Sequence, residues 1–158
     1  MPTKTYKALA TTTLSTSASS VTFSNIPATY KDLVFVFAGT ASGGDGIYFF
    51  MNSDTGSNYS FVRMYGTGTA TGSTSGTGTS LEFGEIWGGQ GNVIAHIMDY
   101  SATDKHKTVL GRTNAPANVV MAYASRWAST SAVTSLTVLT SVATFSSGST
   151  FSLYGIES

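Results

Sequence analysis

The chain has 158 residues, of which 41% are hydrophobic and only 10% are charged. This is enough chain and apolar surface for one folded domain with its own core, and it excludes a disordered protein. Eight basic and eight acidic residues give a formal net charge of zero, so nucleic acid and anionic membranes are not expected partners.

Short β-rich runs alternate with clusters of Gly, Asn, Asp and Ser, and no stretch of helical length carries an apolar stripe. The spacing predicts an all-β domain over residues 1–158, built as a two-sheet antiparallel sandwich of about 10 to 11 short strands. The predicted strands are 6–14, 21–26, 33–40, 46–52, 59–65, 81–87, 92–100, 107–113, 119–127, 133–140 and 150–156.

Two of these runs indicate which way their side chains face. Residues 33–38 are apolar without alternation, so this strand is expected to be covered on both sides. The second cover is either a subunit contact or the domain's own loops. In the run 119–127, the larger side chains alternate and are predicted to face the core: Val119, Met121, Tyr123 and Trp127.

The segment 66–79 contains only Gly, Thr, Ser and Ala. It has no large apolar side chain to bury, and its composition is that of a linker, so a flexible loop is predicted. The loop either stays mobile or becomes ordered against a neighbouring subunit. An alternative is the edge of a sheet, because Thr alternating with Gly is compatible with extended backbone.

No catalytic centre is predicted, and the chain is not expected to be an enzyme. The string at 72–76 resembles a nucleophile elbow, but Thr74 occupies its centre and no helix follows. His96 and His106 lie near aspartates in sequence. The favoured interpretation is that His96, on a strand face, and His106, in a loop, both have structural roles.

No metal or cofactor is predicted either. Asn52, Asp54 and Asn58, or Asp45 in its Gly-rich turn, offer oxygens that calcium could use. One carboxylate per loop makes a weak site, so turn capping is the favoured role.

The two tryptophans are expected in the core or at an interface. Trp87 ends a strand before a glycine pair, where its ring could alternatively stack on a sugar.

Several strings resemble the small β-sandwich virion structural proteins of tailed bacteriophages. They are Asn-Ser-Asp-Thr-Gly-Ser-Asn-Tyr-Ser at 52–60 and Gly-Ser-Thr-Phe-Ser-Leu-Tyr-Gly-Ile at 148–156. The strings at 21–27, 30–33 and 133–137 are similar to other strands of the same proteins. The matches follow the chain in order and cover most of it.

The resemblance implies a jelly-roll-like sandwich and a place on the virion, with no catalytic residues to carry over. A capsid decoration (cement) protein is expected, made in the host cytoplasm and bound to the major capsid protein at the capsid surface. Capsid geometry further suggests a homotrimer. The alternative is a receptor- or glycan-binding head of a tail fibre. A chain that starts at Met1 and has no heptads or shaft repeat favours decoration.

The candidate partner contacts are Tyr6, Leu9, Leu14 and Trp87. The first three belong to the threonine-rich run 2–14, which could add as a strand to an exposed sheet edge. The alternative is an ordinary first strand of the sandwich.

Overall fold

The computed structural model describes residues 5–87, 89–115 and 119–157, and in that part of the chain every regular element is a strand. All eleven predicted strands are present, together with a twelfth, β6. The strands are β1 Tyr6–Thr13, β2 Ser20–Phe23, β3 Asp32–Thr40, β4 Asp45–Met51, β5 Tyr59–Gly66, β6 Thr71–Gly78, β7 Leu81–Ile86, β8 Gln90–Met98, β9 Lys107–Ala115, β10 Val119–Trp127, β11 Leu136–Thr140 and β12 Thr150–Ile156.

The strands form two antiparallel sheets that pack face to face, so the predicted sandwich is confirmed. The large sheet has eight strands in the order β1-β12-β3-β8-β9-β10-β5-β6, and the small sheet has four in the order β2-β11-β4-β7. The chain crosses from sheet to sheet at β2, β3, β4 and β5, then at β7 and β8, and again at β11 and β12. Early strands also pair with late ones, β1 with β12 and β2 with β11. This connectivity is jelly-roll-like.

A cluster of phenylalanines holds the two sheets together. The ring of Phe35 on β3 lies 5.2 Å from that of Phe49 on β4 and 5.6 Å from that of Phe83 on β7. The rings of Phe49 and Phe83 stack at 3.8 Å. All three side chains are fully buried. Aromatic contacts of this kind add about 0.5–1.5 kcal/mol each beyond the area they bury.

Strand β3 is apolar on both faces, as its sequence indicates. Its alternate residues Leu33, Phe35 and Phe37 are fully buried in the core. Val34 and Val36 point to the other side of the large sheet, where they are only half-buried. The predicted inward face of β10 is also confirmed, with Val119, Met121, Tyr123 and Trp127 all at most 6% exposed.

The structure corrects the loop predicted at 66–79. Residues Thr71–Gly78 form strand β6, which pairs with β5 over eight consecutive residues as an edge of the large sheet. The rings of the neighbouring strand explain the glycines. A Cβ atom at Gly72 would lie 2.6 Å from the hydroxyl of Tyr65, and one at Gly76 would lie 2.8 Å from the ring of Phe61. Aromatic rings laid over glycine stabilise such edges.

The turn at 52–60 is organised by hydrogen bonds to two side chains. Asn52 and Ser53 both have positive φ angles, which asparagine tolerates well. The Oδ1 atom of Asn52 accepts a bond from the amide of Thr134 at 2.8 Å. The carboxylate of Asp54 accepts bonds from the indole of Trp127 at 2.7 Å, the side chain of Asn58 at 2.9 Å and a backbone amide. The turn is thereby tied to β10 and β11.

Replacing the Asp54 carboxylate should weaken the fold in a pH-dependent way. The bonds from Trp127 and Asn58 lower the pKa of Asp54. Its stabilising effect is therefore present above the unfolded value of about 3.9 and is lost as the pH falls through the lower folded value. We expect Asp54→Asn to reduce the free energy of unfolding by about 1 kcal/mol at pH 7, since the site is partly exposed.

Urea unfolding at several pH values measures this effect. The deficit of Asp54→Asn should shrink below about pH 3.9. Asp104→Asn is the matched control, because the Asp104 side chain is 77% exposed and its one ion pair is long. Equal effects of the two substitutions would contradict the role given to Asp54.

Candidate functional site

The side of the large sheet that faces away from the small sheet carries an ordered apolar surface. We call it the outer face. The strand register aligns its residues in rows that run across the sheet. One row consists of Tyr154, Val34, His96, Leu110, Ala124 and Val62, and the next of Val36, Ile94, Arg112, Ala122 and Met64.

These rows are open to solvent. Met64 is 63% exposed, Val62 52% and Leu110 47%, and Val120, in the adjoining row of the same face, is 55% exposed. The sheet curves around them to form a concavity of about 580 Å³, which Tyr6 borders on one side. Scattered exposed hydrophobic residues need no explanation, but a contiguous apolar patch on a folded domain marks an interaction site.

The outer face has the dimensions of a protein interface. Eight strands about 4.8 Å apart span roughly 34 Å, and strands of eight or nine residues are about 28 Å long. Their product is roughly 950 Å², compared with about 800 Å² per partner in a stable complex of standard size. A single partner can therefore cover the outer face.

The charge on this surface is positive. Arg112 lies between Ile94 and Ala122 in the second row, and Arg126 follows Ala124 on β10. Neither arginine makes an ion pair within the part of the chain that the structure describes. The carboxylate of Asp32, at the border, is already engaged with His96 at 3.0 Å and with a backbone amide. The outer face thus combines apolar area with two arginines that can pair with a partner's carboxylates.

A second unusual feature lies between the sheets, where β7 ends. The guanidinium of Arg63 on β5 contacts the carboxylates of Glu82, at 3.0 Å, and Glu85, both on β7. The hydroxyl of Tyr123 on β10 donates to the same carboxylates, at 3.3 and 3.2 Å. Trp87 donates its indole N–H to the other oxygen of Glu85.

The charged groups of this cluster have a structural role. Burial raises the pKa of Glu82, Arg63 and Tyr123 oppose that rise, and the charge of Glu85 adds to it. Burial also raises the pKa of Tyr123 well above its usual value. The arginine contacts both carboxylates and the tyrosine hydroxyl lies within hydrogen-bonding distance of both. The cluster links the small sheet to the large one.

The predicted contact residues lie in different places. Tyr6 is 56% exposed and borders the outer face, whereas Leu9 and Leu14 are partly buried and pack against the core. Strand β1 pairs with β12 of its own sheet, which favours the ordinary first strand; residues 2–4 of the predicted run lie outside the described part. Trp87 is 42% exposed on the other sheet.

The aspartates considered for calcium are engaged by protein donors. Asp45 accepts bonds from Ser141 at 2.6 Å and from three backbone amides, including that of Gly46. Burial alone would raise the pKa of Asp45, but these bonds lower it. Within residues 5–87, 89–115 and 119–157, no group of three or more acidic or histidine side chains is placed to hold a metal ion. In the same ranges, no helix is long and apolar enough to cross a membrane.

No protein-family model and no curated protein sequence matches this chain. The likeness to phage virion proteins therefore rests on the strings at 21–27, 30–33, 52–60, 133–137 and 148–156.

Sequence reasoning missed most of the outer face. The unalternating run at 33–38 was the one signal for it, because half of that strand's apolar side chains had to face away from the core. The residues of β5, β9 and β10 joined it only through the strand register. The ion cluster gave no signal, since Arg63 lies 19 and 22 residues from its two partners.

Removing the cation of the buried cluster should destabilise the protein most at neutral pH. Arg63→Met leaves two carboxylates, 11% and 13% exposed, without a counter-ion. We expect a loss of about 3 kcal/mol at pH 7. Without Arg63, the pKa of Glu82 rises further above its unfolded value, so the lost stability returns as the pH falls toward about 4.3.

Urea unfolding of Arg63→Met at pH 7 and pH 5 measures this difference. A triple variant that adds Glu82→Gln and Glu85→Gln is the control, because it removes the buried charges and should recover much of the loss. A deficit that is the same at both pH values would contradict the electrostatic explanation.

Proposed function

We propose that this protein is a structural component of a bacteriophage virion, a decoration protein that binds the major capsid protein at the outer shell and stabilises it. The observation that carries the proposal is the contiguous exposed apolar surface of the outer face, in which Met64 is 63% exposed. The resemblance of five strings in the chain to phage virion proteins supplies the partner.

The outer face suits a lasting contact between proteins better than catalysis. A bridge between shell subunits needs area, shape and a few charge pairs, and this surface offers all three. The two arginines, Arg112 and Arg126, would meet acidic groups of the capsid. Binding that is stronger to the assembled shell than to dissociated subunits would then stabilise the shell by mass action.

The second candidate function is recognition of a receptor or glycan, as in the head of a tail fibre. One observation favours it. Trp87 is 42% exposed beside a concavity of about 260 Å³ that Asp45 and Glu85 also line. An exposed indole at the border of a concavity is an arrangement that can stack on a sugar ring.

A charge placed on the outer face should abolish capsid binding. Val62→Lys puts an ammonium into one of the apolar rows, and we expect at least a tenfold loss of affinity, from about 1.4 kcal/mol or more of unfavourable desolvation. Co-sedimentation of the purified variant with particles that lack the protein measures this loss.

The matched control is Val142→Lys, the same substitution at a valine that is 88% exposed outside the outer face. It should bind as the unchanged protein does. If both lysine variants bind equally well, the outer face is not the contact. If particles with and without the protein survive heating equally, the stabilising role is lost and recognition becomes the better proposal.

The glycan alternative makes its own prediction about Trp87. If a sugar binds there, Trp87→Ala should lower binding to host-cell polysaccharide by at least tenfold, because stacking on the indole is lost. It should leave capsid binding unchanged, since Trp87 lies on the other sheet. Glycan-array and cell-binding assays with Val62→Lys as the control separate the two sites.

A further inference from the structure

Strand β6 is an unprotected edge of the large sheet. It is eight residues long, it contains no proline or charged side chain, and its pairing with β5 has no bulge. Natural proteins usually blunt such edges with charges, prolines, bulges or short strands. The other edges of this protein follow that rule: β1 has a bulge and Lys7, β2 has only four residues, and the pairing of β7 with β4 is interrupted.

The sequence of β6 is a palindrome. Residues 71–77 read Thr-Gly-Ser-Thr-Ser-Gly-Thr, which is symmetric about Thr74. In two antiparallel copies of this strand centred on Thr74, every residue faces one of its own kind. Threonine meets threonine, glycine meets glycine and serine meets serine. Cross-strand pairs of hydroxyl residues are favourable, and without charge on β6 the two copies do not repel each other.

The alternation of hydrogen-bonded and non-bonded pairs along the sheet is consistent with a partner strand centred on Thr74. The amide of Thr67 donates to the carbonyl of Ala70, so this pair at the hairpin end is a bonded one. Bonded pairs alternate along an antiparallel ladder. The backbone groups of Gly72, Thr74, Gly76 and Gly78 therefore point toward β5.

The bond from the amide of Ala128 to the carbonyl of Asn58, on the opposite side of β5, gives the same phase. The free N–H and C=O groups of β6 thus belong to residues 71, 73, 75 and 77. A symmetric partner centred on Thr74 pairs residue 71 with 77 and residue 73 with 75. All four free residues then lie in bonded pairs, which gives roughly eight hydrogen bonds between the copies.

We infer that β6 is the self-association edge of this protein: two copies pair β6 with β6, antiparallel and centred on Thr74, to form one continuous sheet of sixteen strands. The contact is isologous, so it produces a closed dimer with two-fold symmetry. It replaces the trimer suggested by capsid geometry. Because its two-fold axis is perpendicular to the sheet, the outer faces of both copies point in the same direction. The contact uses the edge alone, so it is independent of the proposed capsid contact.

A single cysteine tests this geometry, because the chain has none of its own. In the inferred pair, Thr74 faces its copy as a non-bonded pair with Cα atoms about 4.5 Å apart, within the range of a disulfide. Ser75 is equally exposed but lies about 9 Å from its copy, too far for a bridge. Under mild oxidation, Thr74→Cys should form a disulfide-linked dimer at least tenfold faster than Ser75→Cys.

A proline tests the same edge without any cross-link. The N–H of Ser75 points away from β5, so Ser75→Pro removes a bond between copies and none within the protein. Native mass spectrometry at micromolar concentration should show a dimer for the unchanged chain and a monomer for Ser75→Pro, and the variant should keep the circular dichroism spectrum of a folded β protein. Equal cross-linking of both cysteine variants, a dimer that persists in Ser75→Pro, or a trimer or monomer of the unchanged chain would overturn the inference.

Discussion

The contact between the phenylalanines of β3, β4 and β7 is the one on which the rest of the structure depends. The ring of Phe35 projects from the large sheet and packs edge-on against the rings of Phe49 and Phe83 of the small sheet. All three side chains are fully buried. This contact fixes which part of the large sheet is covered. Since the small sheet has half as many strands, it covers only part of the inner face and none of the outer one.

The part of the inner face that the small sheet leaves uncovered has a hydrophobic cluster of its own. Strands β5 and β6 extend beyond β7, and a separate small cluster forms there, in which Phe61 and Tyr65 pack beside Met121 and Tyr123. The buried ion cluster lies where the small sheet ends, and its arginine bonds β5 to β7. An ion pair adds little net stability in a buried site, but removing one partner is costly, so the cluster fixes the position of this end of the sheet.

The sequence predicted the elements that carry their own signal. Period-two alternation identified the inward face of β10. The apolar run of β3 showed that this strand is apolar on both faces. Strand β6 was only the alternative prediction, after a flexible loop, because glycine, serine and threonine show no apolar periodicity. Its order comes from the rings of Phe61 and Tyr65 on the neighbouring strand. Arg63 was missed for a related reason: its partners are brought close by the packing of the two sheets, which local spacing does not encode.

The outer face and the β6 edge belong to one continuous surface. Ser75 extends the row that contains Val62, and Ser73 extends the row that contains Met64. Hydroxyl side chains thus border the apolar rows on this side. The composition that resembled a linker meets two structural demands at once. Small residues leave room for the rings on the inner side, and they leave the backbone accessible at the edge.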